Sequence, residues 1–186
     1  MADCGAFNYI DEKEPPYESD EIVEFYENLD FDFGVSIDHL IVPNHMHRTD
    51  YFFQDAHGET KAITEEEFNT LKKQGIRVEK SNNRNAELFE SEPLLFTKII
   101  EDLSEAKYRW EITLRNSQDF IAIHKEKGAT FTPIAGCQGW DVESQVEMFK
   151  QQQEMGYDYI ALGGLVRSKT SQILALLEEC KNLTGL

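Results

Sequence analysis

Residues 130–165 read TFTPIAGCQGWDVESQVEMFKQQQEMGYDYIALGGL, and this stretch decides the fold class. Thr130 to Ala135 is a short, strand-prone apolar run. Asp141 stands where a helix wants its N-cap, Val142, Val146, Phe149 and Met155 supply a buried stripe, and Gly156 closes the helix. Tyr157 to Leu162 then reads as a second strand and Gly163-Gly164 as a turn, after which Ile173, Leu174 and Leu177 give a last helix its apolar stripe. Strands joined through a helix by short connections run parallel, so the pattern predicts an α/β fold.

The same kind of unit lies near the N-terminus. Ile22, Phe25, Tyr26 and Leu29 recur at i, i+3, i+4 and i+7 behind Ser19, Asp20 and Glu21, which predicts an amphipathic helix over about 20–29 capped by Ser19. Phe33-Gly34-Val35-Ser36-Ile37-Asp38 reads as a buried strand that ends on a carboxylate, followed by apolar Leu40-Ile41-Val42 and a stop at Pro43. Between the two units, residues 44–128 exceed an ordinary crossover and carry helix signals. Thr64 and Glu67 match a capping box, Ser91-Glu92-Pro93 opens a second helix, and Ser104 precedes a long one running toward His124 with Gly128 as its stop. Asn82-Asn83 with Arg84 marks a loop. The expectation is one domain over residues 1–186 with a helical insertion at about 44–128.

Composition bounds the functions. The chain has 186 residues, 35 acidic and 18 basic side chains, a formal charge of −17 and a hydrophobic share of 40%, and its 12 Phe, 7 Tyr and 2 Trp argue against disorder. Such a balance disfavours a general nucleic-acid binder, which relies on clustered Lys and Arg, so any nucleic-acid role rests on a local site. Nine acids and one base (Lys13) fall between Asp11 and Asp30, so −8 of the charge sits in one solvated stretch. Cys4, Cys137 and Cys180 form no C-x-x-C pair and read as idle thiols of a reducing compartment. No basic-then-apolar leader opens the chain and no apolar run nears the ~18 residues of a membrane span, which places it in the cytoplasm and away from membranes.

Polar residues cluster at the C-terminal ends of the strands, the edge where parallel α/β proteins bind ligands. They are Asp3, Asp38, Gln138 and the Gly163-Gly164 turn. Asp38 is an acceptor-only group, Gln138 a mixed donor and acceptor, and a Gly-Gly turn exposes backbone without side-chain obstruction, a set suited to reading the edge of a planar heterocycle. Asp3 is a second carboxylate able to move a proton. Arg167 and Lys169, just past the turn, are candidate phosphate contacts. His45-x-His47 lacks a third ligand of obvious spacing, His124 suits a helix C-terminus, and Pro15-Pro16-Tyr17 reads as a turn.

Asp3-Cys4-Gly5-Ala6-Phe7, Val35-Ser36-Ile37-Asp38-His39, Gly136-Cys137-Gln138-Gly139-Trp140 and Ala161-Leu162-Gly163-Gly164-Leu165-Val166 resemble, in this order, motifs of the tRNA-guanine transglycosylase superfamily. The likeness is strongest to its DpdA-like branch, which inserts 7-deazaguanines into DNA, through Gly163 to Ser168. The resemblance implies a (β/α)₈ TIM barrel that exchanges guanine for a queuosine-related 7-deazaguanine in DNA or tRNA through a covalent glycosyl-enzyme intermediate. It makes Asp3 the general acid/base beside the sugar, Asp38 and Gln138 the side chains that bond the base, Gly164 and Leu165 the backbone that reads its edge, and Gly163 the residue that allows the close turn. Cys4, Ala6 and Asn8 depart from the family's Ser, Gly and Gln.

The family's nucleophilic aspartate and its zinc-binding cysteines and histidine lie beyond the Gly-Gly-Leu block, and a full barrel takes about 250 residues. The expectation is therefore a partial barrel with no cofactor of its own, zinc belonging to the family's later segment and the nucleophile to a second chain or a longer product. The alternatives are a non-catalytic nucleobase-binding subunit of a complete transglycosylase and an unrelated α/β-barrel lyase or isomerase using Asp3 and Asp38.

Overall fold

A computed structural model describes residues 1–42, 46–80 and 92–185. In chain order the elements are α1 (Ser19–Asn28), β1 (Phe33–Val35), β2 (His47–Gln54), β3 (Thr60–Ile63), α2 (Glu65–Lys73), β4 (Arg77–Lys80), β5 (Leu94–Glu101), α3 (Ser104–Lys127), β6 (Thr132–Cys137), α4 (Val142–Met155), β7 (Tyr159–Leu162) and α5 (Thr170–Thr184), with 3-10 turns at Ala6–Tyr9 and Leu165–Arg167. The chain divides into two units, residues 1–43 with 104–186, and residues 44–103.

The first unit is the predicted α/β arrangement. Its sheet is parallel with strand order β1-β6-β7, and Ala2 adds an isolated parallel bridge to Gly34 beyond β1. Among the described residues no closed barrel is formed. Val23, Tyr26, Ile37, Phe120, Phe131 and Ala135 form the main core, and Cys137, Met148, Phe149, Leu176 and Cys180 a second cluster. Asp141 caps α4 by accepting the Ser144 N–H at 2.8 Å, and Gly156 ends the helix at φ 95°, as its sequence predicts.

Two helices bury a different stripe from the one read off the sequence. In α1 the inward residues are Ser19, Ile22, Val23 and Tyr26, while Phe25 and Leu29 face outward. Ser19 is therefore not the cap: Glu18 takes that place, its N–H donating to the Glu21 carboxylate at 3.1 Å. In α5 the buried positions are Leu176 and Cys180, and Leu174 and Leu177 are exposed. Apolar residues occupy more than one face of both helices, so periodicity alone leaves the rotation about the axis open.

The second unit is mostly sheet, where helix was expected. Its strand order is β3-β2-β5-β4, and β2 pairs antiparallel with β5 over all eight residues of each, with Phe52 stacked on Phe96 at 5.2 Å. The segment after Ser91-Glu92-Pro93 is thus a strand, since full-length pairing outweighs a proline-based helix-start signal. Ser91 itself and the Asn82-Asn83-Arg84 loop lie outside the described residues, as do Pro43 and His45. The predicted capping box at Thr64 and Glu67 opens α2, which lays Phe68 on Tyr51 with ring centroids 4.9 Å apart. α3 runs where Ser104 and Gly128 delimit it, but within the first unit. Among the described residues no helix is long and apolar enough to cross a membrane.

Gly34 is the tightest backbone position in β1. A Cβ there would sit 2.3 Å from Tyr26 Cδ2 and 2.9 Å from Phe131 Cε2, both belonging to buried rings that pack edge to face at 5.6 Å. Overpacking of this kind costs about 2–3 kcal/mol. Gly34→Ala is expected to lower the urea-unfolding free energy by about that amount, and a loss below about 0.5 kcal/mol would mean that the rings yield freely.

Candidate functional site

The three strands and the Ala2 bridge deliver their C-terminal ends to one place. Asp3, Asp38, Gln138, Gly163, Gly164 and Leu165 all line a single cavity of about 560 Å³. That volume falls in the range, roughly 300–1,000 Å³, of small-molecule sites. The wall is otherwise apolar, with Phe7, Ile41, Val42 and Val166 among its residues.

A polar clamp beneath the cavity sets the spacing of Asp38 and Gln138. Just past the β1–β6 ladder, Ser36 N–H donates to Ile134 C=O at 2.8 Å and Ser36 Oγ accepts the Gly136 N–H at 3.0 Å. Gln152 Nε2 donates to the Gly136 carbonyl at 2.8 Å and to Ser117 Oγ at 3.0 Å, while Tyr157 donates to the Ser117 carbonyl at 2.7 Å. α3 and α4 thereby hold the two strand ends in fixed register. Gly136 has no side chain because a Cβ would lie 2.9 Å from Asp38 Cβ.

Asp38 is buried, and both of its carboxylate oxygens accept hydrogen bonds. The Cys4 thiol donates to Oδ1 at 3.0 Å, and Gln138 Nε2 donates to Oδ2 at 2.5 Å. Burial pushes the Asp38 carboxyl above the usual carboxylate range and the charge of Asp3 adds to the rise, while the Cys4 and Gln138 hydrogen bonds oppose it. The Gln138 side chain is 2% exposed, and its Oε1 has no partner among the described residues. Gly163 and Gly164 crowd this amide: a Cβ on Gly163 would come 2.2 Å from Nε2 and one on Gly164 3.0 Å from Oε1. Gly163 also spends both peptide groups inside the fold, donating to Cys137 C=O at 2.8 Å and accepting from Gln145 Nε2 at 2.9 Å. Gly164 is in the left-handed region at φ 71°, leaving it as the glycine of the pair whose backbone can meet a ligand.

His39, next to Asp38, turns away from this set and is fully buried. Arg109 donates to its Nδ1 at 3.0 Å and to the Leu40 carbonyl at 2.9 Å, which makes His39 the Nε2–H tautomer, donating to the Glu12 carbonyl at 2.9 Å. Burial pushes the His39 pKa down, with the Arg109 charge adding to it, so the ring stays neutral. Arg109 is itself buried and paired with Glu105 at 2.9 Å, fastening the loop after β1 to α3.

The sequence candidates are thus brought together, with two exceptions. Lys169 is exposed at the N-cap of α5 and does not line the cavity, and the Arg167 side chain lies outside what is described. His47 begins β2 in the other unit. Sequence reading missed Cys4 as an Asp38 partner, although its place two residues after bridged Ala2 puts it on the same side of the extended chain. It also missed Gly136, for which the alternation of β6 toward Asp38 was the available signal.

No family model matches the chain. Over 183 residues, 98% of its length, it is 33% identical to a protein of Salmonella montevideo named DNA-guanine transglycosylase, of whose length it spans 32%.

The raised carboxyl of Asp38 has a consequence for stability. A carboxyl that binds its proton more tightly folded than unfolded, where its pKa is about 3.9, contributes less stability as pH rises from that value through the raised one. Denaturant unfolding of the wild type and Asp38→Asn from pH 4 to pH 8 isolates the effect. The wild type is expected to lose stability relative to the variant as pH increases, and a pH-independent difference would contradict it.

Proposed function

Because this chain belongs to the guanine-transglycosylase superfamily, we propose that it carries the base-recognising part of a base-exchange site, one that replaces guanine with a 7-deazaguanine in DNA or tRNA. The observation that supports this reading most is the convergence of Asp38, Gln138 and the Gly163-Gly164-Leu165 turn on one largely apolar cavity together with Asp3. The parallel strands that feed it suit a segment of a (β/α)₈ barrel.

In this reading Asp38, an acceptor when ionised, takes the N–H donors of the purine edge, and Gln138 bonds the same ring beside it. The Gly164 and Leu165 backbone meets the edge or its 7-substituent. Asp3 serves as general acid/base: it protonates the departing guanine when the glycosidic bond breaks and takes the proton of the incoming 7-deazaguanine when the new bond forms. A glycosyl-enzyme step needs a nucleophile to hold the sugar between these events. Asp3 and Asp38 are the carboxylates of the described cavity and both are already assigned, so the nucleophile is a third group, contributed by further polypeptide or a second chain. Arg167 and Lys169 are assigned to phosphate. The other reading, a non-catalytic nucleobase-binding subunit, shares the recognition half of this scheme.

Calorimetric titration of the 186-residue chain with guanine and a 7-deazaguanine is expected to show binding that Asp38→Ala weakens at least about 100-fold, since it removes a charged hydrogen-bonding partner from a buried site. In the same preparation, labelled 7-deazaguanine should not enter guanine-containing DNA or tRNA. Binding unaffected by Asp38→Ala would overturn the assignment of the cavity, and incorporation by this chain alone would overturn the assignment of the nucleophile to another group.

A further inference from the structure

The network behind Asp38 extends one residue deeper than the cavity. Gly5, at φ 74°, turns the chain so that the Ala6–Tyr9 3-10 turn brings Tyr9 back over Cys4. The Tyr9 hydroxyl lies 3.2 Å from Cys4 Sγ and 2.9 Å from the Asp38 carbonyl, its single proton shared between the two acceptors. Cys4 Sγ in turn donates to Asp38 Oδ1, and Asp38 Oδ2 receives Gln138 Nε2. Tyr9, Cys4, Asp38 and Gln138 are all buried, and the chain of bonds ends on the Gln138 amide, whose Oε1 is buried with no partner among the described residues.

We infer that Cys4 and Tyr9 are positioning residues: the thiol proton fixes the Asp38 carboxylate as an acceptor, and Asp38 in turn fixes the orientation of the Gln138 amide. The inference rests on the reading of Asp38 as the base-binding carboxylate and adds a donor–acceptor rule to it. With Asp38 Oδ2 holding Nε2, an amide flip would set Oε1 against the carboxylate, oxygen to oxygen, so the orientation is locked for as long as Asp38 is ionised. The cavity then offers the Asp38 carboxylate as a fixed acceptor, and selects a ring edge that carries N–H donors. An edge made only of acceptors would set lone pairs against this buried carboxylate, which is strongly penalised.

Cys4 suits the task because it remains a thiol. Burial, and then the neighbouring Asp38 charge, push its pKa up to about 12, so at neutral pH the proton stays on sulfur and is available to the carboxylate. The titratable groups that act on this thiol and carboxylate are Asp3, Tyr9, Tyr26, His39 and Cys137. Burial raises Tyr9, Tyr26 and Cys137 above their ordinary ranges and lowers His39, so all four remain neutral at pH 7. Removing the Cys4 donor takes away one of the two side-chain hydrogen bonds that favour ionised Asp38, and the carboxyl becomes protonated at higher pH than before.

The test is carboxyl ¹³C NMR titration of Asp38 in the full chain, with Cys4→Ala, Cys4→Ser and Tyr9→Phe beside the wild type. Cys4→Ala should tighten proton binding by Asp38 about tenfold, and Cys4→Ser, which keeps a donor, should return it most of the way. Tyr9→Phe should move it in the same direction by less, and provides the measurement if Cys4→Ala does not fold. Guanine affinity should follow, its loss on lowering the pH setting in at higher pH in Cys4→Ala than in wild type, with Cys4→Ser parallel to wild type. A shifted titration without guanine binding in any variant would support the positioning role and remove the base reading instead. An Asp38 titration unmoved in folded Cys4→Ala or in Tyr9→Phe, or moved as far by Cys4→Ser as by Cys4→Ala, would overturn the inference.

Discussion

A carboxylate removed from water is tolerated only where donors replace its hydration, and the buried Asp38 imposes that requirement on most of the first unit. Its two oxygens draw donors from separate parts of the chain. Cys4 follows the Ala2 bridge, and Gln138 follows β6. The glycines that clear space for this pair come from β6 and the end of β7: Gly136 makes room for the Asp38 side chain, and Gly163 and Gly164 make room for the Gln138 amide. All four chain segments at the sheet's C-terminal edge are thereby constrained by one buried carboxyl group.

The helices serve the same end from outside. α3 holds the Asp38 neighbourhood twice, through Ser117 in the clamp under β1 and β6 and through Arg109 on the His39 ring and Leu40 carbonyl. α4 adds Gln152 to that clamp and Met148, whose sulfur lies 3.2 Å from the Gln138 N–H as its acceptor. Side chains fixed through two independent elements lose little freedom when a ligand arrives, which is the physical basis of a preorganised site. The apolar remainder of the cavity wall strengthens each polar contact inside it by lowering the local dielectric.

Legibility in the sequence followed the range of the interactions involved. The α4 cap at Asp141, its stop at Gly156, the α2 capping box and the strands on either side of α4 are local, and each was readable from neighbouring residues. The sheet of the second unit was not, because the eight-residue pairing of β2 with β5 joins segments some fifty positions apart, and no local signal at Pro93 announces it. The faces of α1 and α5 fall in between: their helicity is local, but which apolar residues turn inward depends on what packs against them. The site divides the same way. Asp3, Asp38, Gln138 and the glycine turn were legible because a parallel strand's C-terminal end is where ligands bind. Tyr9 reaches Asp38 only by virtue of a left-handed glycine at Gly5, a conformation no pattern of side chains reveals.

The distribution of constraint within the cavity bears on which task this segment performs. Asp38 and Gln138 are buried and bonded to each other, whereas Asp3, on the same cavity, is solvent-exposed. Recognition of a planar ring needs rigid, desolvated groups whose unpaired atoms penalise the wrong partner, and the buried pair meets that need. Proton transfer needs a carboxyl that reaches water in both protonation states, and Asp3, exposed one residue from Cys4, has that access. The overall charge of −17 is compatible with both, since eight of those charges lie between Asp11 and Asp30 and none of the residues in that stretch lines the cavity. The surface that the chain presents around the cavity is instead largely apolar, with Phe7, Ile41, Val42 and Val166 among its residues.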